Sequence, residues 1–527
     1  MPLEKIRRWG YVIVTALIAV AVLAGCSRGQ SATIDIPADP GVVQTRSGAV
    51  RGLVASDHRQ FAGIPYASPP VGPLRWQPPA PAGAWTGFRD ATRPGPRCIQ
   101  DVSNDVDRRE TSEDCLSLNV WTPPPSAEKR PVMVWIHGGS FINGSGDIYD
   151  ARRLVSRGDV VVVTVNYRMG ALGFLAHPSL GPGGDVGNYG LADQQAALRW
   201  VHDNIEAFGG DPDKVTIAGE SAGGMSVCDH LVAPGSEGLF SAAIIQSGPC
   251  QAQYDLPAAE RASEQYAVEV GCGDTATAAA CLRALPPERL QRPVLYGRLG
   301  AERLSGPVTG TKTLPVDPMT GAAQGRAARV PVMIGTTADE FTLFTGVQYI
   351  RGRAFGAADY FGLLSEAYGA NAGVVAKQYP PEQFGGSVPL AYSAAVTDGT
   401  FACVADRLAN TLSAAKPVFF SEFDDPGAPA PEPLRAAPFP IGAGHSLELR
   451  YLFDVGGAPA LSTEQQRLSD EMIGYWTEFI STGSPGSGWP SLNGPEGERM
   501  SLRPGGNRVI TDFGQAHKCP FWANLND

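Results

Sequence analysis

The residues with the most chemical content form one short run, Gly219-Glu220-Ser221-Ala222-Gly223-Gly224. A Gly-x-Ser-x-Gly run alone is weak evidence, because chance supplies roughly one in every second chain of this length and glycine content. Its setting carries more. Val215-Thr216-Ile217-Ala218 before it reads as a buried strand, and the small residues after it read as the start of a helix. A serine on such a strand–turn–helix sits on a strained elbow, where its hydroxyl can attack a carbonyl carbon. Glycines flank it because the tight turn leaves no room for side chains. The helix N-terminus behind it aims free N–H groups at the oxyanion that attack creates.

A serine nucleophile needs a base, an acid to orient that base, and donors for the oxyanion. Donors are offered by Gly138 and Gly139 in His137-Gly138-Gly139-Ser140, directly after the apolar run Val132–Ile136, with the Ala222 N–H as a third. His137 reads as a residue that orients this loop, since a base there would have to turn back over the donors. The chain has seven histidines. His58, His177, His202 and His230 fall on predicted loops or helix surfaces, where solvated rings are expected. Behind a nucleophile elbow the chain order is Ser, acid, His, which leaves His445 and His517. His445 lies in the glycine-rich stretch Gly442-Ala443-Gly444-His445-Ser446, able to project a ring, whereas His517 is close to the C-terminus. Asp339 and Glu340 both follow an apolar run, and periodicity does not choose between them as the acid.

These groups need a rigid frame. Continuous apolar runs at Val132–Ile136, Val160–Val165, Lys214–Ala218, Ala242–Ile245, Val330–Ile334 and Val418–Phe420 suit central strands buried on both faces. Leu191, Leu198, Val201, Ile205 and Phe208 recur at helical spacing, opened by Asn188 as an N-cap. A second helix near Thr463–Ile480 carries Leu468, Met472, Tyr475, Trp476 and Phe479 on one side. Alternating β and α units predict an α/β fold, a large mostly parallel central sheet with helices on both faces. No repeat and no clear internal domain break is visible.

Composition excludes several classes. Of 527 residues, 43% are hydrophobic and 18% charged, which rules out a disordered tail or a coiled coil. The net charge of −11 argues against nucleic acid as a partner, because phosphate binding runs on clustered Lys and Arg. No Cys-x-x-Cys or His/Cys cluster suggests a zinc site, and the serine chemistry needs no metal or organic cofactor.

The N-terminus reads as an export signal. Lys5, Arg7 and Arg8 precede the uncharged run Tyr11–Ala24, too short for a comfortable membrane span and suited to a signal-peptide core. It ends in Leu23-Ala24-Gly25-Cys26, which resembles the bacterial lipobox, where cleavage before the cysteine leaves a lipidated thiol. Residues 1–25 are therefore expected to be a lipoprotein-type signal, 26–41 a tether and 42–527 the enzyme domain. Localisation follows as the bacterial cell envelope, lipid-anchored at the outer face of the membrane, or secreted. Without the signal, which carries +2, the chain is near −13. Export leaves eight cysteines besides Cys26 in an oxidising compartment, an even number whose pairing spacing alone does not decide.

Taken together, the segments resemble the type-B carboxylesterase family, which includes cholinesterases and the inactive neuroligins. The likeness runs through Phe61–Ala67, Pro73-Leu74-Arg75-Trp76, Ser112–Val120, His137-Gly138-Gly139, Asn166-Tyr167-Arg168, Gly219–Gly224, Gln246-Ser247-Gly248, Asp339-Glu340 and Gly444–Leu449. It implies an α/β-hydrolase fold and a serine carboxylesterase with Ser221 as nucleophile, Glu340 as acid and His445 as base. It also implies an oxyanion hole of Gly138, Gly139 and Ala222 N–H groups. Glu220, Ser247 and Glu448 match a buried polar group behind that triad, with plain structural hydrogen bonding as the alternative. Disulfides Cys98–Cys115, Cys272–Cys281 and Cys403–Cys519 are implied as well. Cys228 and Cys250 have no counterpart, and either a buried free thiol or an extra disulfide fits them.

One departure bears on substrate. Cholinesterases carry in their first disulfide loop an aromatic that holds choline by cation–π contact. Ile99–Asp114 contains no Trp, Tyr or Phe, so a choline ester is not the expected substrate. Ala218 stands where the family often has an aromatic, so the resemblance does not fix the shape of the acyl pocket. The partner is a small-molecule or lipid ester, with membrane contact through the N-terminal anchor. Two other readings remain: a lipase on longer-chain lipids, and a non-catalytic neuroligin-like binding protein.

Overall fold

The computed structural model describes residues 39–526 except 103–108, 182–184, 301 and 496. The expected signal peptide, Cys26 and nearly all of the tether lie outside the described residues. Eleven strands form the central sheet: β1 Leu53–Val54, β2 Arg59–Pro65, β3 Ser117–Thr122, β4 Arg130–Ile136, β5 Val161–Val165 and β6 Gly210–Glu220. The rest are β7 Ala242–Gln246, β8 Val332–Thr337, β9 Val418–Phe423, β10 Arg499–Leu502 and β11 Arg508–Ile510. Their spatial order is β11-β10-β9-β8-β7-β6-β4-β5-β3-β2-β1. The six pairings from β10 to β5 are parallel, and antiparallel strands finish both edges.

Each predicted apolar run is one of these strands, and the alternation of its side chains builds two cores. Val120, Val163, Val134, Ile217, Ala243, Val332 and Val418 form one register row across seven strands. All seven point to the same face and belong to one buried cluster. There they meet Leu198 and Val201 of α1 (Tyr189–Asn204), Met225 and Leu231 of α2 (Ala222–Val232), and Leu408 of a further helix described below. Met133, Trp135, Val162, Ala218, Ile244, Met333 and Phe419 face the other way. With both faces covered, the parallel strands carry no polar face, which is why they read as unbroken apolar runs.

Three helices place functional residues. α3 (Glu340–Ile350) starts directly after β8. α4 (Val388–Val396), the π-turn Thr397–Ala402 and α5 (Cys403–Ser413) form one continuous helical run. That run is apolar and long enough to cross a membrane, yet it is 72% buried inside the protein, as a core helix is. α6 (Thr463–Thr482) covers the second face with Leu468, Met472, Trp476 and Phe479. Ser462 and Gln465 close a reciprocal capping box at its start.

Two expectations change. Asn188 occupies the N-cap position of α1, but its side chain donates to Val308 O (2.7 Å) and Thr311 Oγ1 (2.8 Å) and accepts from Val308 N (2.9 Å). Tertiary partners displace the cap. His230 and His177 are buried, not solvated. Burial pushes the His230 ring down to about 3. It is held by Ser236 Oγ (2.7 Å) and Gln194 Oε1 (3.0 Å), because α2 is covered by α1 on the side where water was expected.

Four disulfides are formed: Cys98–Cys115, Cys228–Cys250, Cys272–Cys281 and Cys403–Cys519. The second joins the two cysteines left open, Cys228 on α2 and Cys250 just past the end of β7.

Candidate active site

The parallel strands deliver the chemistry to one edge, where ligands bind in open α/β sheets. β6 ends at Glu220, and Ser221 follows with φ 56° and ψ −122°, a conformation few non-glycine residues adopt. Gln246 O, at the end of β7, accepts the Ser221 N–H at 2.9 Å and helps hold the elbow. A Cβ on Gly223 would come within 2.0 Å of Ile136 O, so the helix approaches β4 only because position 223 has no side chain.

The loop after β4 runs beside the serine. A Cβ on Gly138 would lie 3.0 Å from Ser221 Cβ, and Gly139 has φ +105°. The N–H groups of Gly138, Gly139 and Ala222 find no backbone acceptor among the described residues. His137 stacks on Tyr167 with ring centres 4.4 Å apart, while the Tyr167 hydroxyl donates to His137 O at 2.8 Å. Burial pushes the His137 ring down to about 4, so it is neutral and orients the loop. Asn166 accepts from Ser145 Oγ (2.9 Å) and Gly146 N (2.8 Å), and Arg168 pairs with buried Asp193 at 2.7 Å. Asn166 and Tyr167 thus support this loop, while Arg168 ties the run to α1, roles the sequence did not disclose.

Glu340 and His445 meet at 2.6 Å, Oε2 to Nδ1. Glu340 Oε1 accepts from Thr336 Oγ1 and Thr337 N, both at 2.8 Å, which fixes the carboxylate. Burial pushes Glu340 up, but the His445 charge, its hydrogen bond, the Ser247 hydroxyl and the Thr337 N–H outweigh that and hold it below the usual range. Asp339 faces elsewhere: its Oδ2 accepts from Ala443 N at 2.9 Å and holds the loop that carries His445. Of the two adjacent acids, Glu340 is the one that meets the His445 ring. Both ring nitrogens of buried His517 are taken, by Asp398 and Glu422 at 2.6 Å each.

His445 Nε2 is buried, makes no hydrogen bond and lies 3.1 Å from Glu220 Oε1. Among the described residues no hydrogen bond joins His445 Nε2 to Ser221, and such catalytic bonds often form only when substrate binds. Glu220 also accepts from the Ser446 hydroxyl. Glu448 Oε1 accepts from Gln246 Nε2 at 3.1 Å. Glu220, Glu340 and Glu448 thus surround one imidazole. Burial opposes the charge on His445, but Glu220, Glu340 and Glu448 raise the ring to about 9. Burial, then the Glu220 and Glu340 charges, raise Glu448 to about 8.

Phe344 of α3 and Phe401 of the π-turn flank His445, with ring centres 4.9 and 5.3 Å from it. They make this wall apolar and aromatic. No sequence signal singled them out, since each lies on a helical stripe like any core residue. No cluster of three or more His, Cys, Asp or Glu among the described residues is arranged to hold a metal ion.

Comparison with known proteins agrees with this geometry. The profile of the carboxylesterase family matches residues 39–522. The chain is 36% identical to the fumonisin B1 esterase of Sphingopyxis macrogoltabida over 499 residues, 88% of this chain and 87% of that one. It is 34% identical to the para-nitrobenzyl esterase of Bacillus subtilis (strain 168) over 483 residues, 88% of this chain and 94% of the other. A solved PNB esterase superposes with a TM-score of 0.77 at 33% identity, covering 90% of this chain and 98% of its own. An elbow serine, a carboxylate-bound histidine and free donors on one sheet edge, in a chain matched almost end to end, place this protein in the carboxylesterase family, as a serine hydrolase of carboxylic esters.

Proposed function

We propose that Ser221, His445 and Glu340 form the catalytic triad and that the N–H groups of Gly138, Gly139 and Ala222 form the oxyanion hole. The observation that carries this is the 2.6 Å Glu340–His445 pair on the same sheet edge as the strained Ser221 elbow. His445 takes the Ser221 proton as Oγ attacks the ester carbonyl, and Glu340 stabilises the imidazolium. The three N–H groups bind the tetrahedral oxygen. His445 then protonates the departing alcohol, and water attacks the acyl-serine by the same route in reverse roles. Glu220 and Glu448 act on His445 as positioning groups behind the triad, and buried Ser247 is held there through its N–H to Gly335 O at 2.8 Å.

The substrates are small-molecule carboxylic esters. The apolar wall of Phe344 and Phe401 supports an acyl or aryl group, and relatives are named for fumonisin B1, para-nitrobenzyl and cocaine esters. The filled triad positions disfavour a neuroligin-like binding role. The enzyme is exported, cleaved before Cys26 and lipid-anchored at the cell envelope, a reading supported by the Leu23-Ala24-Gly25-Cys26 run. A hydrolysis panel of p-nitrophenyl esters from acetate to palmitate tests it. Turnover concentrated on short chains is expected; a rate that peaks at palmitate would favour the lipase reading, and no turnover of any ester would refute the enzyme reading.

A further inference from the structure

The point where the folded domain receives its N-terminal segment is set by one buried guanidinium. Arg59, which opens β2 and is 4% exposed, donates to Pro40 O at 3.2 Å, Phe208 O at 3.2 Å and Pro123 O at 3.4 Å. Phe208 precedes β6, and Pro123 follows β3, which runs antiparallel to β5. All three carbonyls therefore lie at the edge where the parallel strands begin. Arg46 N donates to Asn204 Oδ1 at 2.8 Å, tying the next residues to the end of α1 at that same edge. Ser221, Glu340 and His445 lie beyond the opposite edge, where the strands end.

We infer that, anchored through Cys26, this esterase holds its catalytic edge away from the bilayer that carries the anchor. Its substrates then are esters arriving from the aqueous side, not the acyl lipids of that bilayer. The inference rests on the esterase reading and on the lipid anchor proposed above. Reach decides it. Thirteen residue steps separate Cys26 from Asp39, and fully extended they span about 45 Å. A globular unit of about 490 residues has a radius of gyration of about 23 Å, so as a sphere it is about 60 Å across. Seating the catalytic edge on the bilayer would lift the entry point by about that width, beyond the fully drawn tether. A tether of at most that reach cannot turn the molecule over. It brings the edge bearing Pro40 to the headgroups and leaves the triad facing water.

The test uses the protein from residue 26 onward. The other eight cysteines are paired, so Cys26 is the single thiol available for coupling to a maleimide lipid in phosphatidylcholine vesicles. Two substrates are compared: p-nitrophenyl butyrate in solution, and a diacylglycerol-anchored umbelliferyl butyrate that the uncoupled enzyme cleaves in mixed micelles. A second form carries forty Gly/Ser residues inserted after residue 38. The native tether is expected to cleave the bilayer-held ester at least 50-fold more slowly than the long tether, with equal rates on the soluble ester. Equal cleavage at both lengths would overturn the inference, and so would failure of both forms on the bilayer-held ester, since reach would then not be what limits. Failure on p-nitrophenyl butyrate would instead sink the esterase reading. Labelled palmitate in a bacterial host reports the anchor separately: loss of label in Cys26→Ala is expected, and no label in the wild type would remove the anchor and the inference with it.

Discussion

Replacing Glu340 with Gln perturbs the contact that holds the His445 ring while keeping its shape. The amide oxygen can still accept from Thr336 and Thr337, as Oε1 does now at 2.8 Å, so the fold should stand. What is lost is the charge beside His445 Nδ1, 2.6 Å from Oε2. With charge centres about 4 Å apart and an effective dielectric of about 20, a carboxylate stabilises an imidazolium by about 4 kcal/mol. Expressed in the transition state, that is about a thousandfold in kcat. An amide N–H directed at Nδ1 also disfavours the required tautomer, so the loss can reach about ten-thousandfold. Asp339→Asn is the matched control. Its carboxylate accepts from Ala443 N and does not face the ring, so kcat should fall by less than about tenfold through loop displacement alone. Steady-state kinetics on p-nitrophenyl butyrate, with circular dichroism to confirm folding, measure both. The reasoning fails if Asp339→Asn is the more damaging change, or if Glu340→Gln retains more than a tenth of the wild-type kcat.

Glu448→Gln removes one of the carboxylates that raise His445, so the rise of kcat/KM with pH should move to lower pH by about one pH unit; a pH–rate profile that stays in place or moves up would contradict the cluster electrostatics. Replacing Cys403 and Cys519 with Ser opens a loop with a sequence separation of 116 and should lower the unfolding free energy by up to about 4–5 kcal/mol, read by denaturant titration. Butyrylcholine should show no advantage in kcat/KM over an uncharged butyrate ester of matched leaving-group acidity at physiological ionic strength, because the Ile99–Asp114 segment has no aromatic to hold the cation. A choline preference above about tenfold would place a cation site elsewhere on the approach to Ser221.

The strands were legible because burial on both faces leaves a signal no surface pattern imitates: Val132–Ile136 and Val160–Val165 read as strands before any geometry was known. The elbow was legible for a related reason, since Gly223 has to be bare for α2 to pass Ile136 O at 2.0 Å from a would-be Cβ. The acid was not decided by periodicity. Asp339 and Glu340 differ by one position at the end of a strand, and only the path of the Gly442–Ser446 loop shows that Ala443 N takes one and the His445 ring the other. His517 and His230 escaped for a different reason. His517's partners are 95 or more residues away, and although His230 meets Ser236 six residues on, its cover comes from α1, so the burial of neither has a local signature. Phe344 and Phe401 became wall residues because a π-turn brings position 401 to the triad, and nothing in Thr397–Ala402 announces that turn.

The most direct test of the central claim is covalent labelling of the nucleophile. A fluorophosphonate probe reacts with an activated serine and mimics the tetrahedral intermediate that the proposed Gly138, Gly139 and Ala222 N–H groups would hold. Intact-mass analysis of the wild type should show one adduct per chain, and peptide mapping should place it on Ser221. Ser221→Ala, folded and carrying the same Glu340–His445 pair, should take no label. Stoichiometric labelling of Ser221→Ala, or an adduct mapped to another serine in the wild type, would contradict the account.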